Sequence, residues 1–340
     1  MTPADLAYYS LVATWSAMAV YTVAFVAFAL DLAKRSGDAQ LAADREQRAA
    51  AAVTTTAASA RADATAGAAG RTGSGGTAVL ERTAPVAAEH RRASAFQRVG
   101  TAMTVLGLLV HVAATVLRGL AAERVPWANM YEFSLTGTAI IVAVFVLVRA
   151  FVDLSFLGSY VTGLVLVLLG VATVNYYVDV VPLPPALQSV WLVIHVFVAT
   201  LGTAFFALAA GLSALQLVQT RREQARLSGL RFLDTLPGAA RLEDLAYRVA
   251  LVGFVLWTFT LIAGAVWAER AWGRYWGWDT KEVWTFIIWV LYAGYIHARA
   301  TRGWRGARSS WLSIIGFAAV MFNFGVVNVF FKGLHAYSGL

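Results

Sequence analysis

The chain has 340 residues, of which 59% are hydrophobic and 14% are charged, and its mean hydropathy is +0.65. Soluble domains carry about 25% charged residues, so this composition excludes an ordinary soluble domain and indicates an integral membrane protein. The formal net charge of +8 follows the membrane-topology pattern described below, so nucleic acid is not among the expected partners.

Eight apolar runs are long enough to cross a bilayer as helices, which takes about 20 residues. The runs are 6–30, 99–117, 135–152, 157–174, 190–218, 246–267, 283–298 and 311–331. Strands of a membrane barrel would instead show short alternating segments. The predicted fold is therefore an all-α polytopic membrane protein with about eight transmembrane helices.

The distribution of Lys and Arg predicts the orientation of these helices. If the N-terminus is external, 21 of the 27 basic residues fall on the inward side. They lie in the segments 31–98, 149–155, 219–248 and 299–310. Cytoplasmic loops of membrane proteins carry such an excess. We therefore expect a multi-pass protein of the cytoplasmic (cell) membrane, with both termini and the loop 267–284 on the external face.

The segment after the first run has a different composition. Residues 36–95 are mainly Ala, Thr, Gly, Arg and Asp, with almost no large apolar side chain. Such a segment cannot bury enough surface to offset its ordering entropy. The sequence therefore predicts a first transmembrane helix over 1–30, a flexible cytoplasmic linker over 31–97 and a seven-helix core over 98–340.

Four histidines lie in or next to the predicted core spans, where an ionisable side chain is costly and is by default a candidate functional residue. By helix rise, His195 is roughly 6–8 Å below the outer boundary, whereas His335 is close to that boundary. His297 is about 20 Å deep and His111 about 10 Å deep. We therefore expect His195 and His335 to meet, and regard His111 as the weakest candidate. A core histidine hydrogen-bonded across helices is the alternative for each.

The external loop between the sixth and seventh spans is rich in tryptophan. Six of the twelve Trp residues lie between Trp267 and Trp289. An interfacial aromatic belt is the simpler interpretation. It does not explain Gly273 and Gly277, which remove bulk beside the rings, nor the carboxylate of Asp279 among them. Such a surface suits a large planar ligand with one polar edge, and two flanking histidines suit the iron of haem better than a tetrahedral zinc ion.

This loop resembles the tryptophan-rich "WWD" signature of haem-handling membrane proteins. The residues that follow are similar to those of the CcsA/ResC family of cytochrome c-type biogenesis proteins. The similar residues are Trp289, Tyr292, Tyr295, His297 and Arg299, together with the patch 126–132 and the C-terminal segment 331–338. In one departure, Thr280 stands where that family usually has Pro, which affects the rigidity of the loop and leaves the ligand class unchanged.

The resemblance implies a System II cytochrome c synthetase subunit that transports haem b and attaches it covalently to apocytochrome c at a Cys-x-x-Cys-His segment. It implies a haem lyase that acts in complex with a CcsB/ResB-like membrane protein. Since the chain has no cysteine, the thiol chemistry must come from partners, including a thiol-reducing thioredoxin-like protein.

The resemblance also implies a role for each candidate residue. His195 and His335 would hold haem iron at the outer site, and the histidine of the substrate would displace one of them. His297 would hold iron at an inner site, with His111 a weak candidate there. Asp279 would orient the loop or the haem edge. Stacking surface would come from Trp272, Trp276, Trp278 and Trp284.

Two other functions remain open at this point. The first is a non-catalytic haem-delivery protein resembling CcmC, which shares the signature and the external histidines. The second is a b-type electron-transfer cytochrome, which would need depth-matched histidine pairs that His111 and His297 do not provide.

Overall fold

The structure is a computed structural model that describes residues 1–66, 94–181, 188–224, 231–301, 303–331 and 333–335. Its long helices are α1 (Pro3–Ala66), α2 (Ala95–Ala122), α3 (Met130–Arg149), α4 (Gly158–Asn175), α5 (Val190–Glu223), α6 (Ala239–Trp272), α7 (Thr280–Thr301) and α8 (Ala307–Phe322). Seven spans in the described part of the chain are long and apolar enough to cross a membrane, and α7, with 22 residues, is the remaining long helix. The predicted all-α polytopic fold is confirmed.

The first helix is longer than the sequence predicts. It continues past residue 30 as far as Ala66, so the stretch 31–66 of the predicted flexible linker is helical. The physical reason is local: this stretch is rich in Ala, the strongest helix former, and it contains no Pro. The sequence predicted disorder because this stretch has few apolar side chains to bury. An Ala-rich stretch can nevertheless be helical through its backbone propensity alone. Residues 67–93 of the predicted linker lie outside the described residues.

Successive helices run antiparallel. At one end of the bundle, Ser10 near the start of α1 donates a 2.8 Å hydrogen bond to the carbonyl of Ala114 in α2. At the other end, Arg299 of α7 pairs with Glu243 of α6 at 3.4 Å. The first end therefore contains the N-termini of helices α1, α3, α5 and α7 and the C-termini of helices α2, α4, α6 and α8. We call it the site end.

Helix packing relies on aromatic rings that lie against glycines of neighbouring helices. A Cβ atom at Gly107 would come within 2.6 Å of the Tyr21 ring, and one at Gly316 within 2.8 Å of Tyr292. Tyr292 also stacks on Phe206 with ring centroids 3.6 Å apart. Small residues let helices approach closely in a membrane, where packing replaces the hydrophobic effect as the main association force.

The last span is irregular where it reaches the site end. After Phe322 the helix α8 passes into a π-helical turn, Asn323–Val327, and finishes with Asn328–Phe330. Turns of this kind are rare in proteins, and those that do occur are frequently found at functional sites. Here Asn323 and Phe324 of the turn, and Asn328 directly after it, lie on the wall of a cavity.

Candidate functional site

A cavity of about 180 Å³ lies at the site end between α3, α5, α6, α7 and α8. Its wall is mainly apolar and aromatic, and it also contains His195, His335 and Lys281. A smaller cavity of about 70 Å³ shares these three side chains and adds Tyr275 and Trp276. The structure thus brings the two predicted external histidines to the same place.

His195 is fixed on α5 by a hydrogen bond to α6. Its Nδ1 lies 3.0 Å from the backbone oxygen of Thr260. A carbonyl oxygen only accepts, so Nδ1 carries the hydrogen and Nε2 keeps its lone pair for a ligand. The ring lies directly against Gly264, where a Cβ would come within 2.7 Å of Cε1 of His195. Only glycine at this position lets the imidazole approach α6 so closely.

His335 is fixed by a carboxylate at the start of α7. Its Nδ1 donates to Oδ2 of Asp279 at 2.7 Å, and the backbone N–H of Leu334 donates to Oδ1 at 3.0 Å. The hydrogen bond from His335 holds the pKa of the Asp279 carboxyl below its usual range. With Nδ1 engaged, Nε2 of His335 is the nitrogen left for a metal. Gly333 keeps this contact possible, since a Cβ there would collide with the carboxylate.

The loop before α7 is closed by a capping box. Asp279 accepts a hydrogen bond from the backbone N–H of Lys281 at 3.3 Å, as an N-cap residue does. Glu282 reaches back and accepts from the backbone N–H groups of Asp279 at 3.1 Å and of Gly277 at 2.8 Å. These bonds satisfy amides at the helix start that would otherwise have no partner. These bonds therefore tie the end of the loop to the first turn of α7.

Trp267 connects the two histidines. Its ring stacks on His195 with centroids 5.9 Å apart and planes inclined by 17°. It lies edge-on to His335 at 5.5 Å and to Trp272 at 4.7 Å. Trp272 is itself 4.9 Å from His335. The sequence identified Trp267 only as the boundary of the tryptophan-rich run, but the structure places it at the centre of the site.

The other three predicted stacking residues have different surroundings. Trp276 lines the smaller cavity beside His195. Trp278 is 75% exposed and has a positive φ of 59°, a conformation that a bulky residue rarely adopts. Trp284 packs against Phe322 with centroids 4.3 Å apart and lines neither of the two cavities described above.

The remaining two histidines lie elsewhere. His111 is fully buried on α2, and its Nδ1 is 3.3 Å from the hydroxyl of Tyr21 on α1. This is the arrangement of a core histidine that joins two helices. His297 is exposed on the outer surface of α7. Neither lines the two cavities that hold His195 and His335.

Sequence reasoning missed several residues of the cavity. Lys281 was noticed only as a charge in the tryptophan-rich run, and Thr260 carried no signal because its contribution is a backbone oxygen. The cavity wall further includes Trp127, Asn129, Phe133, Trp257, Asn323 and Asn328. Trp127 and Asn129 belong to the patch 126–132, which the sequence singled out through the resemblance without assigning a role to its individual residues.

The side chains fit a flat aromatic metal complex. Two imidazoles keep Nε2 available and lie beside aromatic rings, which is a donor set of the kind that can hold haem iron. A closed tetrahedral zinc site needs four protein ligands. No group of three or more His, Cys, Asp or Glu that could hold a metal ion occurs among the residues that the structure describes.

Residues 127–335 match the family described as "Cytochrome C assembly protein". The chain belongs to this family. The region matched begins at Trp127 and ends at His335, so it contains both histidines of the cavity and the whole tryptophan-rich loop.

Similar members of the cytochrome c assembly family include proteins named "Cytochrome c biogenesis protein CcsA". The one from Guillardia theta is 33% identical over 261 residues, which cover 71% of this chain and 86% of that protein. The one from Synechococcus elongatus is 32% identical over 282 residues, covering 70% and 87% respectively. A third, from Prochlorococcus marinus, is 40% identical over 173 residues, or 46% of this chain and 56% of that protein.

A solved structure is also similar to this cytochrome c assembly protein. "Cytochrome c Heme Lyase CcmF" superposes with a TM-score of 0.58 and 16% sequence identity, covering 100% of this chain and 50% of that chain. At this level of identity the likeness shows a shared fold. The chain corresponds to about half the length of that protein.

Proposed function

We propose that this cytochrome c assembly protein holds haem b at the site-end cavity and presents it for covalent attachment to apocytochrome c. One observation carries the proposal: His195 and His335 come from distant parts of the chain, contact the same Trp267, and each has Nδ1 engaged in a hydrogen bond. Their two Nε2 atoms would then hold the haem iron, and the incoming histidine of the Cys-x-x-Cys-His segment would take the place of one of them.

The reaction is an addition in which nothing leaves. Each thiol adds across a haem vinyl group: a carbon–sulfur bond forms, the double bond becomes single, and the thiol hydrogen ends on the terminal vinyl carbon. The protein contributes positioning, because holding vinyl carbons near thiols makes a bimolecular step intramolecular. The role of the cavity is therefore to fix the haem, and we class the protein as a haem lyase that works in a complex.

The cavity must become larger before it can hold a porphyrin. Ligand pockets usually measure about 300–1,000 Å³, whereas this cavity measures about 180 Å³. Trp267 lines this cavity and the neighbouring one of about 70 Å³. Movement of this indole would enlarge the space beside the two histidines, and Trp276 lines the part of that space formed by the smaller cavity. The exposed Trp278 is then available to the incoming substrate.

The described part of the chain does not itself supply a second ligand beside His297, nor the whole chain any thiol, and each of these points to a partner protein. His297 is exposed on α7, so a haem at the inner site takes its second axial ligand from another membrane protein, which we propose is CcsB/ResB-like. The chain has no cysteine, so a thioredoxin-like protein keeps the substrate thiols reduced. The site end faces outward from the cytoplasmic membrane, in keeping with the excess of Lys and Arg predicted on the other side.

Co-expression with an apocytochrome c and a CcsB/ResB-like protein tests this proposal through the yield of covalent haem. His195→Gly and His335→Gly should each abolish attachment, and added imidazole should restore part of it. His90→Gly, in the predicted linker, is the matched control and should mature cytochrome normally. Normal maturation by both site variants would reject the ligand assignment. Haem that is bound but never attached would favour a CcmC-like delivery protein, or a b-type cytochrome if it also never leaves.

A further inference from the structure

Lys281 is a cation on the cavity wall whose hydrogen-bonding capacity is largely unused. It lies in the first turn of α7 and lines both cavities together with His195 and His335. An ammonium group has three donors. Among the described residues its Nζ has one hydrogen-bond partner, the side-chain oxygen of Asn328. Asp279, two residues earlier, is already hydrogen-bonded to His335.

No carboxylate of the described residues forms an ion pair with Lys281. Lys281 is partly buried, and Asp279, the opposite charge that acts on it, is already engaged by His335 and by two backbone N–H groups. A cation in such surroundings is usually paired more closely than this. The positive end of the α7 helix dipole adds to the cationic character of this wall. The cavity therefore has a position that favours an anionic group.

A second donor lies on the same wall. Asn328 connects Lys281 to the start of α3, because its Nδ2 lies 3.7 Å from the sulfur of Met130. The preceding residue, Asn129, also lines the cavity and is 6% exposed. Its Oδ1 caps α3 by accepting from the backbone N–H of Glu132 at 2.9 Å. Its Nδ2 has no hydrogen-bond partner among the described residues.

We propose that Lys281, together with Asn129, binds a propionate carboxylate of the haem that His195 and His335 hold. This inference rests on the proposed function. The apolar and aromatic wall suits the porphyrin ring, and the two N–H donors suit the charged edge of the same molecule. The vinyl groups of haem b lie on the edge opposite the propionates. Anchoring the carboxylate therefore directs the vinyl edge away from Lys281, toward the thiols.

The test compares two ligands that differ only in the free carboxylates. The full chain is purified in detergent and titrated with haem and with haem dimethyl ester, and the Soret band is followed. For Lys281→Met, affinity for haem should fall about 10- to 100-fold, the usual effect of losing a hydrogen bond to a charged group. Affinity for the ester should stay within about twofold of the wild-type value for the ester. Lys281→Arg should retain most of the affinity for haem.

Lys34→Met is the matched control, because it removes an exposed ammonium group in α1 and should change neither affinity. If Lys281→Met lost the same affinity for both ligands, Lys281 would have a purely structural role and the inference would be overturned. If Lys281→Met lost affinity for neither ligand, the inference would also be overturned. Should Lys281→Met not fold, Lys281→Gln takes its place, with the same expected results. A wild-type chain that binds neither ligand would instead reject the proposed function itself, so the two failures are distinguishable.

Discussion

Asp279 and His335 are joined by a 2.7 Å hydrogen bond from Nδ1 of the imidazole to the carboxylate that begins α7. One side chain thus both starts a transmembrane helix and orients the residue that follows the last span. His195, by contrast, donates to a neutral backbone oxygen, that of Thr260. A carboxylate partner makes an imidazole a more basic metal ligand. We therefore expect His335 to be the stronger iron ligand and His195 the one that the substrate histidine displaces.

Replacement of Asp279 by Ser should separate its two roles. A Ser side chain still caps α7, but it no longer accepts from Nδ1 of His335. Asp279→Ser should therefore keep the helix cap, lose at most the roughly 1.5–3 kcal/mol of a hydrogen bond to a charged group, lower the haem content and raise the midpoint potential of the haem that remains. The measurements are thermal unfolding, haem content and a redox titration. A variant with an unchanged potential would show that the carboxylate does not act on the iron ligand.

The stability that Asp279 contributes should depend on pH in one direction. Its folded-state pKa lies below the ordinary value of 3.8, chiefly because His335 donates to it. A depressed carboxyl pKa adds stability that is present above the ordinary pKa and is lost as the pH falls through the lowered one. The difference in melting temperature between wild type and Asp279→Asn should therefore shrink as the pH falls below about 4. A difference that grows on acidification would contradict this assignment.

Gly264 should be required for haem binding although it touches no ligand itself. A Cβ at this position would lie 2.9 Å from Nδ1 of His195, so Gly264→Ala must displace the ring and break its bond to Thr260. We expect loss of the Soret band with little loss of helix content. Gly294→Ala is the control, because nothing lies within 4 Å of a Cβ there. Equal haem contents in the two variants would show that the position of His195 is not critical.

Two tryptophans of the same loop region should respond in opposite ways. Trp276 lines the smaller cavity, so Trp276→Leu should lower the haem content while leaving the melting temperature nearly unchanged. Trp284 packs on Phe322, so Trp284→Ala should cost roughly 2–4 kcal/mol of stability through lost packing. Its haem spectrum, once folded, should be that of the wild type. The paired readouts are the Soret absorbance and thermal unfolding of each variant.

A buried ion-pair network next to the cavity should matter for stability. Glu132 accepts from Arg118 at 3.0 Å and from Arg124 at 2.6 Å, and the side chains of Glu132 and Arg118 are fully buried. Glu132→Gln leaves the Arg118 guanidinium without its counter-charge, which should cost about 3–5 kcal/mol. The exposed Glu123 provides the control, since Glu123→Gln should change stability by about 0.5 kcal/mol or less. Thermal unfolding in detergent measures both, and equal melting temperatures would contradict this view of the network.

Much of the site's local structure could be anticipated from the residues of the tryptophan-rich run. Asp279 and Glu282 have the spacing of a capping box, and the sequence placed Asp279 in the loop that starts the seventh span. The prediction of disorder over 31–66 was less successful, because it weighed burial and gave too little weight to the helix propensity of an Ala-rich stretch. The assignment of Trp284 to a stacking surface depended on its position in the run, whereas helix packing turned its ring toward Phe322.

The sequence by itself determined the number and the alternation of the helices, because an apolar run in a bilayer must satisfy its backbone hydrogen bonds internally. It also identified which side chains are chemically able to hold iron. Only the tertiary structure decided how they meet: His195 and His335, which the sequence already predicted to lie together, contact the same Trp267, and Lys281 lies on the same cavity wall. The reason is physical. Lipid-facing and helix-facing surfaces of a span are about equally apolar, so hydropathy gives the depth of a residue but not the direction in which it points.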